Sequence, residues 1–290
     1  MTAVDIREVG PRDGLQAEAP VPVADRVRLV EALLEAGVRH VEVCSFVSPK
    51  AVPSMAGAAE VVAALPAVEG ARYVALVPNL RGAELALEAG IRELSVTISA
   101  SPAYNEKNVR MTVDESVAAI ESICALGVPV DAVVSCAFGS PFEGDIAPED
   151  VAGLAARLRD AGAASLTYAD TTGMATPRRV RDLLAVVGTD VGLHLHETRG
   201  TALVNAFAAF ELGVRRFDTS VGGLGGSPFA AGAAGNLATE DLVHLLDDLE
   251  VETGIDLEAL LRAGALVAEL VGHDVPSRVA AAGPRSRRAG

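Results

Sequence analysis

One phrase recurs along the chain and limits what it can fold into: EAGVRHVEV from Glu35, EAGIRELSV from Glu88, ALGVPVDAV from Ala125, DAGAASLTY from Asp160 and ELGVRRFDT from Glu211. Each reads as the end of a helix, a glycine suited to the left-handed position just past it, and a β-rich run starting two or three residues later. Short apolar strands that alternate with helices imply parallel strands joined by crossover helices. Strands are predicted near 5–8, 40–44, 73–77, 94–98, 130–136, 165–169, 191–196 and 216–220, with helices over segments such as 23–36, 113–126, 148–161, 202–212 and 239–252. Thr112 with Glu115 three residues on forms a capping box, and Thr176 precedes Pro177 at a first helical position. Eight strands are the number of a (β/α)8 TIM barrel. The competing doubly wound sheet would carry a glycine-rich turn after its first strand, and 10–15 is not one.

Length and composition agree with one large domain, expected over residues 1–283. Half of the 290 residues are hydrophobic but only 3% are aromatic and none is Trp, so Ala, Val and Leu must fill the core. A formal net charge of -15 opposes general binding to nucleic acid or to anionic membranes, and any anionic substrate needs locally placed cations. Three cysteines (Cys44, Cys124, Cys136) form no CxxC pair and fit a reducing compartment. The N-terminus lacks the apolar stretch of a signal peptide, and no run of 18 apolar residues occurs. A cytoplasmic protein is expected, with a short basic tail over 284–290 that is expected to be disordered. A homodimer is the commonest soluble assembly and is the expected one.

In such a barrel, chemical groups project from the C-terminal ends of the strands. Those positions hold Arg12 and Asp13, Glu42 and Ser45, Asn79, Thr97 and Ser99, Ser135 and Cys136, Asp170, His194 and His196, and Asp218 and Ser220. Period-two alternation in His194-Leu195-His196 turns both imidazoles to one side, which suits a metal pair; a hydrogen-bonded core pair is the plainer alternative. After the last strand, 222–236 contains six glycines that let the backbone cross the barrel mouth, ending on Asn236. No Gly-Lys-Ser/Thr follows, so this is not a nucleotide loop. In 8–16, Arg12 and Asp13 lie side by side within a turn set by Pro11 and Gly14.

The motifs EVGPRDGLQ, EVCSFVSPKAVPSMAG, VPNL, EKNVRMTVDES, VSCAFGSPFEG, LHLHETRG and VGGLGGSPFAAGAAGNLATEDLV resemble, in order and spacing, the 3-hydroxy-3-methylglutaryl-CoA lyase family, from about Asp5 to Val271. The resemblance implies one Mg2+ or Mn2+ ion held by Asp13, His194, His196 and Asn236, two imidazoles and two oxygen donors that leave positions open for substrate oxygens. It makes Arg12 the essential arginine, Glu42 and Asp170 carboxylates of the site, and Gln16, Ser45 and Thr167 pocket residues. The implied reaction is retro-Claisen cleavage of a 3-hydroxyacyl-CoA: loss of the C3 hydroxyl proton, carbon–carbon cleavage to a ketone and the enolate of acetyl-CoA, then protonation of that enolate. Asp170, His194 and a water held by them all remain open as the base.

The chain departs from the family at several points. Ser227 stands where the family has a cysteine thought to move a proton, and a hydroxyl does so less readily than a thiol. Val133 replaces a tyrosine, Arg199 a tyrosine and Thr167 a serine. A wider site with an added cation implies a substrate that is bulkier than 3-hydroxy-3-methylglutaryl-CoA or has its carboxylate elsewhere; drift within an ordinary lyase is the alternative. A Claisen-type synthase is a second reading, against which Glu197 stands where synthases carry Asn. A decayed metal-binding scaffold is a third. For the CoA phosphates, Lys50, Lys107 and Arg110 are candidates, and 105–108 a segment that closes over the pantetheine.

Overall fold

The computed structural model describes residues 3–226 and 235–285. Within it the eight strands β1 (Asp5–Glu8), β2 (His40–Ser45), β3 (Arg72–Leu76), β4 (Glu93–Ser99), β5 (Val130–Ser135), β6 (Ser165–Ala169), β7 (Gly192–His194) and β8 (Arg216–Thr219) pair in sequence order, all parallel. β1 also pairs with β8, which closes the barrel. The helices are α1 (Val23–Glu35), α2 (Ala58–Ala64), α3 (Leu80–Ala89), α4 (Pro102–Val109), α5 (Val113–Cys124), α6 (Pro148–Asp160), α7 (Pro177–Val187), α8 (Ala202–Leu212), α9 (Thr239–Asp248), α10 (Leu257–Val271) and α11 (Arg278–Ala282). None is long and apolar enough to cross a membrane.

The repeated phrase does what its glycine predicts. Gly37, Gly90, Gly127, Gly162 and Gly213 all have φ between 80° and 111°. At four of them the next residue (Val38, Ile91, Ala163, Val214) donates back to the carbonyl five residues earlier, closing the helix end and aiming the chain into the next strand. α9 lacks that signal and ends at Asp248 rather than near residue 252. Glu250 takes the left-handed conformation (φ 57°), and Val251 N donates to Leu246 O. The capping box at Thr112 is present, and the Thr176 side chain accepts from Arg179 N.

Two local irregularities shape the barrel mouth. The register of β2 on β3 shifts between Glu42 and Cys44, which leaves Val43 as an extra residue. Strict alternation would put Glu42 and Ser45 on opposite faces; with the bulge, Glu42 meets Arg12 and Ser95 inside the barrel while Ser45 lines the cavity above. The second irregularity is that β7 ends at His194, two residues before the sequence pattern suggests. His196 leaves β8 and instead forms an antiparallel bridge with Asn236. The loop after β8 is thereby brought back to the first-strand turn.

Candidate active site

The turn after β1, Gly10–Gly14, is a single wide π-type turn in which the backbone N–H groups of Arg12, Asp13 and Gly14 converge on Val9 O. Only glycine fits at its two ends. A Cβ on Gly10 would stand 2.6 Å from Glu8 Oε1, and one on Gly14 would stand 2.8 Å from Ser220 Oγ. Glu8 fastens the turn from below: Oε1 accepts from Gly10 N (2.7 Å) and Val221 N (2.9 Å), and Oε2 from Thr239 Oγ1 (2.5 Å). Beside it, Glu240 accepts from Gly222 N at 2.9 and 3.0 Å. Two buried carboxylates thus tie the Arg12–Asp13 turn to the segment that follows β8.

On that platform Arg12 and Asp13 are set side by side. Arg12 Nε donates to Glu42 and Nη1 to Asp13 Oδ1 at 2.6 Å, while Glu42 also accepts from Ser95 Oγ. Burial opposes charge on Asp13. The Arg12 guanidinium, the two imidazoles and the Asn236 amide outweigh it and bring the carboxyl down to about 2. Asn236 Nδ2 donates to Asp13 Oδ2 at 2.8 Å and to Leu224 O at 2.8 Å.

The two imidazoles face each other, with His194 Nε2 3.1 Å from His196 Nε2. Leu195 between them is buried in the core, as alternation requires. His194 Nδ1 lies 3.2 Å from Asp218 Oδ2. Burial disfavours charge on His194, yet Asp218 and Asp13 lift its pKa above the ordinary value, so an ion and a proton compete for Nε2.

Asp13, His194 and His196 each offer a ligand atom within 4.8 Å of the others. Asn236 Oδ1 is buried without a hydrogen-bond partner among the described residues. A carboxylate, two imidazoles and an orphaned amide oxygen fit a divalent cation of the Mg2+ or Mn2+ type: oxygen donors suit a hard ion, imidazoles a borderline one. The arrangement offers neither thiolate nor cage that would select a softer metal.

Above this group opens a cavity of about 500 Å3. Arg12, Asp13, His194 and His196 lie at its floor with Arg7 and Asp218. Gln16, Ser45, Thr97 and Val133 line it, with an apolar wall that includes Val47, Val52, Leu76 and Pro78. Tyr104, Lys107, Asn108 and Arg110 border it from α4 and its C-terminal end, where Lys107 Nζ sits 3.9 Å from the Phe142 ring centroid. Lys50 is not on the wall.

Three residues expected in the pocket lie elsewhere. Thr167 points into the barrel below the cavity, where its hydroxyl donates to Asp131 Oδ2 at 2.8 Å. Arg199 adds no cation to the cavity wall, because its Nη1 is spent on the carbonyls of Thr172 (2.8 Å) and Gly173 (2.9 Å). Asp170 lies just behind the wall formed by Ala169 and Thr171. Its Oδ1 accepts from Met174 N and Ala175 N, its Oδ2 has no partner among the described residues, and burial raises the carboxyl to about 7 against those donors and Arg199. Ser227 lies outside the described residues.

Glu8 and Glu240 carry no place in the sequence reading. The signal available at Glu8 was its place at the end of the first strand, just before the glycine of the turn; nothing at Glu240 distinguishes it from a first-turn helix residue. Burial raises Glu8 to about 7 and Glu240 to about 8, against the N–H and hydroxyl donors that favour their charged forms. Folding therefore takes up protons between the ordinary carboxyl range near 4.5 and these values. Stability is highest below that window and falls as pH rises through it, by about 1.4 kcal/mol per pH unit for each group still protonated. Asp170 and the raised histidines act in the same direction. The melting temperature of the metal-free chain is expected to fall from pH 5.5 to 8.5, and Glu240→Gln to flatten that fall by about 2–4 °C per pH unit. Parallel curves for the two proteins would contradict this.

The HMGL-like family model matches residues 3–267. The chain belongs to that family. Among its relatives, the 3-hydroxy-3-isohexenylglutaryl-CoA/hydroxy-methylglutaryl-CoA lyase of Pseudomonas aeruginosa is 43% identical over 289 residues, covering 96% of each chain. The (R)-citramalyl-CoA lyase of Chloroflexus aurantiacus is 43% identical over 304 residues, covering 98% of this chain and 96% of the relative. Among solved structures, an HMG-CoA lyase from Acinetobacter baumannii in complex with coenzyme A and 3-methylmalate superposes with a TM-score of 0.94 at 40% identity, covering 99% of this chain and 97% of that one.

Proposed function

We propose that the chain is a divalent-metal-dependent carbon–carbon lyase that cleaves a 3-hydroxyacyl-CoA, with 3-hydroxy-3-methylglutaryl-CoA or a close analogue as substrate. The observation that carries this reading is the Asp13, His194 and His196 donor group beside Arg12 at the floor of a cavity of about 500 Å3. Mg2+ or Mn2+ bound there would polarise the substrate's hydroxyl and carbonyl oxygens and lower the hydroxyl pKa. Arg12, held between Glu42 and Asp13, keeps a fixed positive charge where an enolate oxygen develops. The C3 hydroxyl proton leaves, the C2–C3 electron pair passes to C2 as the acyl-CoA enolate, and C3 becomes a ketone. A proton returned to C2 then completes acetyl-CoA and, from 3-hydroxy-3-methylglutaryl-CoA, acetoacetate.

Asp170, whose carboxyl burial raises to about 7, is our candidate for proton exchange with the site, acting through water past Thr171 because it does not itself reach the cavity wall. Ser227 is the other candidate donor. Gln16 and Ser45 are proposed to contact the substrate, and Lys107 and Arg110 the CoA phosphates, since both cations border the cavity entrance. Three unbridged cysteines support a reducing compartment, with the cytoplasm as the proposed location, and a homodimer is the proposed assembly.

The two relatives named above are equally similar to the chain yet differ in the group borne by C3, so overall identity does not choose the acyl substituent. Val133 on the cavity wall favours a substituent larger than methyl. Steady-state assays with 3-hydroxy-3-methylglutaryl-CoA, citramalyl-CoA and 3-hydroxy-3-isohexenylglutaryl-CoA in saturating Mg2+ or Mn2+ test the reading. A kcat/KM of about 10⁴ M⁻¹s⁻¹ or higher is expected for at least one. Turnover confined to the two compounds that carry methyl on C3, 3-hydroxy-3-methylglutaryl-CoA and citramalyl-CoA, would sink the larger-substituent idea, and none with any of the three would sink the lyase reading. Ser227→Cys is expected to raise kcat if proton delivery from that loop limits it.

A further inference from the structure

The floor of the cavity contains a charge network that the proposed chemistry leaves without a role. Arg7 of β1 is buried, and its guanidinium runs between two buried carboxylates. Nε and Nη2 donate to Asp218 Oδ1 and Oδ2 at 2.8 and 2.7 Å, and Nη1 lies 2.9 Å from Asp131 Oδ2. β1 and β8 are neighbours, whereas β1 and β5 stand opposite each other in the closed barrel, so one side chain spans its interior. Asp131 is itself fixed by Ser165 Oγ (2.7 Å) and Thr167 Oγ1 (2.8 Å). At the other end, Asp218 Oδ2 reaches His194 Nδ1 at 3.2 Å.

The geometry is directional. A two-point grip by a planar guanidinium sets both the position and the plane of the Asp218 carboxylate, which a single-point contact does not. An ionised carboxylate at Nδ1 selects the imidazole tautomer with its proton there, leaving the Nε2 lone pair facing His196 and Asp13. Arg7 borders the cavity, but all three nitrogens are engaged by carboxylates, so it acts through Asp218 rather than on a substrate.

We propose that Arg7 and Asp131 are positioning residues: acting through Asp218, they hold the His194 ring in the tautomer and orientation that its ion site requires. This rests on the reading of that site as a metal centre, and not on which acyl-CoA is cleaved.

Asp131→Asn keeps the size of the side chain but removes the charge that anchors Arg7 from across the barrel. Arg7→Lys keeps a cation and gives up the two-point grip. Long-range nitrogen NMR of ¹⁵N-histidine-labelled, metal-free protein, in which no ion on Nε2 dictates the tautomer, has five imidazoles to resolve. The wild-type chain is expected to show His194 as the Nδ1–H form. Both variants should blur that signature at His194 and weaken Mn2+ binding, followed by the electron paramagnetic resonance signal of the free ion, by about 10-fold. Their kcat should fall at subsaturating metal, with KM for the acyl-CoA within about twofold. A merely structural role predicts a lower melting temperature with an unchanged His194 tautomer and unchanged Mn2+ affinity, and that result overturns the proposal. If Arg7→Lys does not fold, Asp131→Asn tests the same link from its far end. A wild-type chain that binds Mn2+ yet cleaves none of the acyl-CoAs overturns the lyase reading alone. One that binds no Mn2+ overturns both.

Discussion

Arg12→Met is expected to lower kcat by about 10²- to 10³-fold, the loss typical of one preorganised electrostatic group. Arg12 is fixed on two sides, by Glu42 through Nε and by Asp13 through Nη1 at 2.6 Å, and its side chain lines the cavity beside the two imidazoles. Its charge is therefore in place before substrate arrives, and no reorganisation is needed as negative charge builds up on the thioester oxygen. Methionine has a similar length and keeps the packing but leaves Glu42 with Ser95 as its remaining partner and Asp13 without its strongest attraction. The Asp13 carboxyl then shifts upward and Mn2+ affinity drops modestly as well. Saturating metal separates the two effects: the loss of kcat should persist when the ion site is filled. Arg12→Lys should recover charge but not the two-sided hold, giving a rate between the two. A metal-saturated Arg12→Met enzyme within tenfold of wild type would remove Arg12 from the chemistry.

Why some of this was legible from sequence and some was not follows from the range of each interaction. The barrel was written in short-range signals, because a left-handed glycine after each helix and an apolar run after each glycine are decided within nine residues. The facing imidazoles were legible for the same reason: residues 194 and 196 are two apart, and alternation alone places them together. Asp13 and Asn236 meet through side chains 223 positions apart in sequence, which no local pattern encodes. The family resemblance supplied that pair. Thr167 shows the opposite failure. Its strand is legible from the pattern and its pocket place comes from the resemblance, but depth along the barrel axis is not encoded locally, and below the cavity it serves Asp131. Arg199 is placed near the site by the family resemblance, standing where the family has a tyrosine, yet the 172–173 carbonyls compete for its guanidinium and keep it off the wall. Arg7, Asp131 and Asp218 are inward positions of three separate strands. Asp218 is legible as a strand-end group, Arg7 and Asp131 alone read as stray charges, and only barrel closure turns the three into one network.

Asp13→Asn tests the ion site most directly, because among the described residues Asp13 is the carboxylate of the donor group, set with two imidazoles and an amide, and so the donor that brings negative charge to the ion. Asparagine preserves the size of the side chain and one oxygen, so the variant isolates charge from shape. Mn2+ affinity is expected to fall by more than the 10- to 100-fold typical of losing an outer-shell partner, and kcat/KM by at least about 10³-fold. Thermal melting gives a readout free of substrate. Ligand at a hundred times its dissociation constant stabilises a folded protein by about 2.7 kcal/mol, several degrees for a chain of this size. The wild-type chain should show that increment with Mn2+, and Asp13→Asn should show almost none at the same concentration. The metal-free variant should also lose part of the acid-side stability that Asp13 contributes above the ordinary aspartate range near 3.8 and surrenders as pH falls toward about 2. An Asp13→Asn protein that gains as many degrees from Mn2+ as wild type would mean that the ion binds elsewhere, and the assignment of Asp13, His194, His196 and Asn236 as its ligands would fall with it.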